Sequence, residues 1–556
     1  MVNFRRWIKA GLVGLLLVFS LVLTVAFVSP NNRYFEIVKN LDIFATLFVE
    51  VNKYYVDEVN PSQLISEGVG EMLGELDPYT VYISEDKIED FRTLNTGQYA
   101  GIGASTTNIE GRRFISMVYE GYAAYDNGLR IGDEIINVDG VKIAGLSQTR
   151  LNELVKGQAK TVVSLSVKRL SQPELIELKF EREKISIPNV PYSGMLENNI
   201  GFIKFTEFTP NGYKNVKKAL QKLQKDGASG IILDLRGNLG GLLKEAVDIS
   251  NLFIASDLEV VHTKGKVESS NFTYKTQYNP LAPEIPLVVL VNNMSASASE
   301  IVAGTLQDYD RAVLIGQKTY GKGLVQNTRD LPYNSKVKMT IAKYYIPSGR
   351  CIQAVDYSHR NPDGSVGKMP DSLKVAFQTK NGRKVYDGGG IDPEIILENV
   401  QISDLTRQLV VNGYIFRYAS EYANNHESIV SASDLNLSDD EYADFIEWIE
   451  EEEFTYTNPL TEDLAKLEKS VDESSKKDQV SPHIKDISDK LTIPLNLALQ
   501  NNSAEIRRLL EVDIASRYYL EPGAVEAGLG DDPSIKKALM LFSSPDKYEA
   551  LLAADK

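Results

Sequence analysis

The stretch Pro286-Leu-Val-Val-Leu-Val-Asn-Asn-Met-Ser-Ala-Ser-Ala-Ser-Glu-Ile-Val-Ala-Gly-Thr-Leu306 decides how this chain folds. Its first part is an apolar, β-branched run that predicts a buried strand up to Val291. Ala298, Ile301, Val302, Thr305 and Leu306 then recur at three- and four-residue spacing, so a helix begins where the serines end. A serine between a buried strand and a helix start lies on an exposed turn. There the unpaired amides of the first helical turn, and the positive end of the helix dipole, can hold developing negative charge. On these residues alone a second reading stays open, in which Ser295, Ser297 and Ser299 compete to cap the helix.

Working outward, 556 residues leave room for about three or four domains. A net charge of −16 without any basic stripe argues against nucleic acid as a partner. The single cysteine, Cys351, permits no internal disulfide and reads as a buried structural thiol near a strand end. His262, His359, His426 and His483 show no metal-ligand spacing, and neither metal nor cofactor is expected. Arg5, Arg6 and Lys9 precede an uncharged apolar run from Ala10 to Val28, which at ~1.5 Å per residue approaches the hydrocarbon thickness of a bilayer. That core is longer than the roughly 7–15 residues of a cleaved signal, and Ala26-Phe-Val-Ser29 is a poor cleavage site. Residues 1–30 are therefore expected to be a membrane anchor with the bulk of the chain outside the cytoplasm, cleavage being the alternative.

Residues 31–95 have a helical pattern. Leu41, Phe44, Phe48, Val51 and Tyr55 form one apolar stripe, expected to pack on the body or to associate with a second copy as a homo-oligomer. Residues 96–185 form a small β-rich domain. In it Tyr99-Ala-Gly-Ile-Gly103 leads into a strand, and Gly128-Leu-Arg-Ile-Gly-Asp133 leads into another. From 186 to 400 strands and helices alternate as parallel βαβ units. The strand Gly230–Leu235 runs into Arg236-Gly-Asn-Leu-Gly-Gly241, where Gly240 and Gly241 either let backbone approach a ligand or merely shape a loop.

Gly316-Gln-Lys-Thr-Tyr-Gly-Lys-Gly323 fits the Gly-x4-Gly-Lys of a phosphate-binding loop. However, Gly323 stands where a Ser or Thr is needed, and Leu324 to Thr328 reads as a strand rather than a helix. Within that strand Lys322, Leu324 and Gln326 are expected to share a face by the period of two. Residues 401–556 read as an acidic helical extension with a stripe of Ile506, Leu509, Leu510 and Ile514, a linker at 472–479, and no chemistry of its own.

Together these motifs resemble the carboxyl-terminal processing peptidases, or tail-specific proteases. The resemblance is carried by Leu76-Asp-Pro-Tyr-Thr80, Leu235-Arg-Gly-Asn-Leu-Gly-Gly241, Ser295-Ala-Ser-Ala-Ser-Glu300, Leu306-Gln-Asp308, Gly321-Lys-Gly323 with Gln326, Pro347 with Gly349-Arg350, and Gly390-Ile-Asp-Pro393. Glu394 departs from the aspartate usual there, and Asp356 to Gly388 looks like an insertion. Residues 96–185 resemble a PDZ domain.

The implied fold is a multidomain α/β chain: a βαβ-type serine peptidase core, an inserted β-rich PDZ domain, a helical N-terminal segment and a helical C-terminal extension. The resemblance implies Ser297 as nucleophile, Lys322 as general base and Gln326 as the residue orienting the lysine. It implies an oxyanion site made by the amides of Ala298 and of Gly240 or Gly241, with Gly241 favoured. The amides of Gly101, Ile102 and Gly103 would take the terminal carboxylate of a protein substrate. A lysine base must be neutral, which requires its pKa to fall by roughly three units through burial. The function so implied is that of a membrane-anchored serine endopeptidase of the bacterial envelope, its catalytic part in the periplasm. The rival is a non-catalytic peptide-binding scaffold on the same fold.

Overall fold

The computed structural model describes residues 31–554 apart from 171, 362, 364, 400, 457, 475 and 492, so the anchor expected at 1–30 lies outside the described residues. Among the described residues no helix is long and apolar enough to cross a membrane. The chain divides into two units, Met1–Tyr82 and Ile83–Lys556. In the first, helix α1 (Asn31–Tyr54) is followed by α2 (Pro61–Gly74), which starts at Asn60 because that side chain accepts from the amides of Ser62 and Gln63. Asp77 closes the next turn by accepting from the amides of Tyr79 and Thr80, both at 2.8 Å. Along the stripe on α1, Leu41 and Phe44 are 62% and 48% exposed while Phe48 and Val51 are half-buried, and Ile37, Ile43 and Leu47 on its flanks are exposed.

The second unit begins with α3 (Ile88–Thr96), ended by Gly97 in the left-handed region. Strands β1 (Gln98–Gly101), β2 (Ala104–Ile109), β3 (Arg112–Val118) and β4 (Glu134–Val138) follow. After them come helix α4 (Gln148–Val155) and strands β5 (Val162–Lys168), β6 (Ile176–Glu181) and β7 (Glu183–Ser186). An antiparallel sheet runs β2-β3-β4-β5-β6, with β2 at its edge, while β1 pairs with β7. Alternation works as the sequence suggests: Val163, Leu165 and Val167 of β5 are fully buried, and Leu151 of α4 packs on them.

Next come β8 (Tyr192–Leu196), β9 (Ile200–Lys204), α5 (Gly212–Lys225), β10 (Gly230–Asp234) and α6 (Leu243–Ser250). The chain continues through β11 (Glu259–Gly265), β12 (Phe272–Lys275), β13 (Leu287–Val291), α7 (Ala298–Asp308), β14 (Val313–Gly316), β15 (Leu324–Leu331), β16 (Ser335–Tyr345) and β17 (Ile395–Ile396). The central sheet has the order β8-β9-β10-β13-β14-β17, parallel throughout except for β8. Strands β15, β16, β11 and β12 form part of a second, antiparallel sheet.

The central strands are near-continuous apolar runs, with Lys204 and Asp234 only at the ends of β9 and β10, because both faces are covered. Ile203, Leu233, Val289 and Leu314 face the layer of α5, α6 and α7. Phe202, Ile232, Val288, Leu290, Val313 and Ile315 face the other way, onto residues from the far end of the chain. These are Ile535, Ala538 and Leu541 of α12 and Tyr548 and Leu552 of α13, counting α8 (Asp404–Val411), α9 (Tyr414–Asn425), α10 (Asp439–Glu451), α11 (Ser503–Ala527), α12 (Pro533–Phe542) and α13 (Pro545–Leu552). At roughly 1.5–3 kcal/mol for each fully buried large apolar side chain, this second layer is a principal contribution to stability. The Tyr548 hydroxyl reaches into it, accepting from the Leu287 amide at 2.9 Å.

The stripe Ile506, Leu510 and Ile514 on α11 is buried against α8 to α10. The linker expected at 472–479 is a short connection between two helices, Pro459–Asp472 and Lys477–Leu491. Phe416 of α9 and Leu520 of α11 pack on the core of the β2–β6 sheet, Phe416 edge-on to Phe114 at 6.0 Å. At Leu520, two residues before Pro522, α11 kinks.

Candidate active site

Strands β10, β13 and β14 are consecutive neighbours in the parallel sheet. Their C-terminal ends therefore release three loops side by side, the position where open α/β sheets bind ligands. The first loop carries Gly240 and Gly241, the second the three serines, the third Lys322.

The glycine loop and the serine turn are laced together by buried groups. Asn238, fully buried, donates to the Phe205 carbonyl at 2.9 Å, and its own carbonyl accepts from the Ala296 amide at 3.1 Å. The Ser299 hydroxyl donates to the same Asn238 carbonyl, and the Ser295 hydroxyl to the Leu235 carbonyl, both at 2.8 Å. Two of the three serines are thus fully buried fasteners, and the competition between them ends there. Ser297 remains half-buried at the turn, with φ 56° and ψ −113°. A non-glycine residue in that region costs on the order of 1–3 kcal/mol and persists only where its surroundings enforce it.

Gly240 has to be a glycine: a Cβ there would lie 2.6 Å from the Ala296 carbonyl oxygen and 2.9 Å from Ser297 Cβ. Its amide donates to Asn238 Oδ1 at 2.9 Å, so it is already engaged. The amides of Gly241 and Ala298 have no acceptor among the described residues. Asp234 ends β10 fully buried. Burial alone would raise its pKa, but Arg236 and Lys204 outweigh that and hold its carboxyl below the usual range. Arg236 also pairs with Asp532 at 2.7 Å, and Asp532 caps α12.

The lysine loop is held through its backbone. Gly321 and Lys322 donate their amides to Glu300, and Gly323 donates to Gln353 Oε1. Glu300 Oε2 accepts from both the Ser297 amide (2.8 Å) and the Lys322 amide (2.9 Å), while Oε1 accepts from Gly321 (2.7 Å) and the Thr319 hydroxyl (2.6 Å). Burial pushes the Glu300 carboxyl up to about 7 in spite of these four donors. On the carbonyl side, the Tyr344 hydroxyl donates to Ser297 O at 3.2 Å and also contacts Lys322 O. Ser297 and Lys322 therefore share one carboxylate and one phenol.

Gln326 lies on β15. Strand β15 starts only at Leu324, leaving Lys322 outside it, and the pairing with β16 shifts register between Val325 and Gln326, the extra residue being Ile341 of β16. The Gln326 amide donates to Thr340 Oγ1 at 3.3 Å. His262, His359 and His426 are engaged by Glu259, Asp356 and the Tyr422 carbonyl respectively. Cys351 lies in a loop beyond β16 rather than at a strand end, and burial pushes its thiol up.

In the connection between β1 and β2, Ile102 is buried in the core between Gly101 and Gly103, and the amides of Ile102 and Gly103 have no acceptor among the described residues. Gly103 has φ 80°, and a Cβ on it would meet Tyr122 Cβ at 2.6 Å. Across from the edge strand β2, Gln148 of α4 donates to Thr106 Oγ1 at 3.1 Å.

Sequence reasoning missed Glu300, Tyr344, Asn238 and Asp532 as parts of this arrangement. For Glu300 a signal was present, since Ser297-Ala-Ser-Glu300 has the spacing of a capping box.

Three family profiles match the chain: Peptidase family S41 at residues 199–363, PDZ domain at 93–168, and the C-terminal helical domain of a probable PDZ-protease at 405–542. A carboxy-terminal-processing protease of Bartonella bacilliformis is 32% identical over 346 residues, covering 62% of this chain and 79% of that protein. A probable CtpA-like serine protease of Staphylococcus aureus is 33% identical over 362 residues, covering 63% and 71%. Among solved structures, the photosystem II D1 C-terminal processing protease is 23% identical over 67% of this chain and 96% of that one, with a TM-score of 0.36.

Proposed function

Because the chain belongs to peptidase family S41, the carboxy-terminal-processing serine proteases with a PDZ domain, we propose that it is an endopeptidase working through a Ser297–Lys322 dyad. The observation that carries this reading is the strained turn at Ser297, beside two amides without acceptors and tied through Glu300 and Tyr344 to the lysine loop. Ser297 Oγ attacks the scissile carbonyl carbon as its proton passes to neutral Lys322 Nζ. The amides of Ala298 and Gly241 hold the resulting oxyanion, Gly240 being excluded by its bond to Asn238. Lys322 then returns the proton to the leaving amine as the C–N bond breaks, and water repeats the sequence on the acyl-enzyme. Gln326, four residues further along the same segment, orients the lysine.

The PDZ domain engages the C-terminus of a protein substrate, which adds a strand to the free edge of β2 with its carboxylate at the Ile102 and Gly103 amides. Residues 10–28 anchor the chain in the bacterial inner membrane, with the catalytic part in the periplasm. Ser297→Ala and Lys322→Ala are each expected to abolish peptide hydrolysis while the thermal melt stays cooperative. Undiminished hydrolysis by either variant would refute the dyad.

A further inference from the structure

Ser297 and Lys322 are tied to one another through Glu300 and Tyr344. Tyr344 sits on β16, in the second sheet, and is 1% exposed. Its ring packs in the large core that also holds Val291, Ala298 and Ile346. Its own amide donates to the Gly323 carbonyl at 2.9 Å, which seats β16 against the lysine loop. The hydroxyl then lies between two carbonyl oxygens 25 residues apart in sequence, those of Ser297 and Lys322. Packing alone would be served by phenylalanine, and a buried phenol needs polar partners. The Ser297 and Lys322 carbonyls belong to the residues that carry the nucleophile and the base. On the amide side the same two residues meet on Glu300 Oε2. Each residue is thus held from both sides, and the backbone sets the spacing between them.

We propose that Tyr344 is a positioning residue of the hydrolytic reaction, its hydroxyl holding the main chains of Ser297 and Lys322 at the separation that proton transfer requires. The proposal rests on the dyad reading above. It is tested by Tyr344→Phe in the full-length chain, assayed on a fluorogenic peptide, with active sites counted by a serine-directed fluorophosphonate. A misplacement of ~1 Å costs up to about a hundredfold in rate, so kcat per labelled site is expected to fall at least tenfold with KM changed by less than about twofold. Tyr344→3-fluorotyrosine, which keeps ring and donor, is expected to retain the wild-type rate. Wild-type kcat in Tyr344→Phe overturns the proposal. So does an equal loss in the fluorotyrosine protein, or loss of cooperative melting in the phenylalanine variant, since the ring or the fold would then be what matters. Lys322→Ala run alongside separates the two claims. If it is inactive while Tyr344→Phe is unimpaired, only the tie falls; if it is active, the dyad itself falls.

Discussion

Replacing Glu300 by glutamine probes the junction of the serine turn and the lysine loop through one atom. The carboxylate receives four donors, two on each oxygen. The amide offers one oxygen, so one pair of donors must face an NH2 group. The lower-cost orientation turns the NH2 toward Thr319, whose hydroxyl can rotate, and leaves only the Gly321 amide unsatisfied, at about 1–3 kcal/mol. Protonation adds a second effect. The carboxyl stands at about 7 in the folded protein against an ordinary 4.5, so the native state holds this proton more tightly than the unfolded chain. The stability it contributes is fully present below pH 4.5 and lost as pH rises through 7, about 3 kcal/mol in all at ~1.36 kcal/mol per unit. Glutamine cannot lose it. In urea unfolding followed by circular dichroism, Glu300→Gln is expected to be about 1–3 kcal/mol less stable than wild type at pH 5 and to match or exceed it at pH 8. Peptide hydrolysis at pH 8 is expected to fall on the order of tenfold as Lys322 is loosened. A stability difference that stays constant from pH 5 to pH 8 would refute the reasoning.

Two further outcomes follow from the same geometry. Gly240→Ala places a Cβ 2.6 Å from the Ala296 carbonyl, so it is expected to displace the serine turn and to cut fluorophosphonate labelling at least a hundredfold. Binding of a C-terminal peptide, read by fluorescence polarisation, should be unaffected; unchanged labelling would contradict the close approach. Asp532→Asn keeps the oxygen that caps α12 but removes the charge facing Arg236. It is expected to cost about 1–2 kcal/mol in a low-salt melt and less in 1 M salt, and an identical melt in both would count against the ion pair.

Much of this arrangement was legible because it is local. Leu287 to Val291 could only be a buried strand, and the helix after Ser299 followed from the spacing of Ile301, Val302, Thr305 and Leu306. What stayed hidden depends on distance along the chain. Tyr344 meets Ser297 across 47 residues and Tyr548 meets Leu287 across 261, and no periodicity carries such information. The apolar stripe of α1 was visible, but not that Leu41 and Phe44 would be left exposed.

The helices that roof one side of the central sheet are also made after every strand of that sheet. A nascent chain emerging from the ribosome would carry Phe202, Ile232, Val288 and Ile315 on a naked surface until α12 and α13 arrive. Maturation of the hydrolase thereby waits for α12 and α13, and a chain terminated before them would be an aggregation-prone fragment rather than a stray protease.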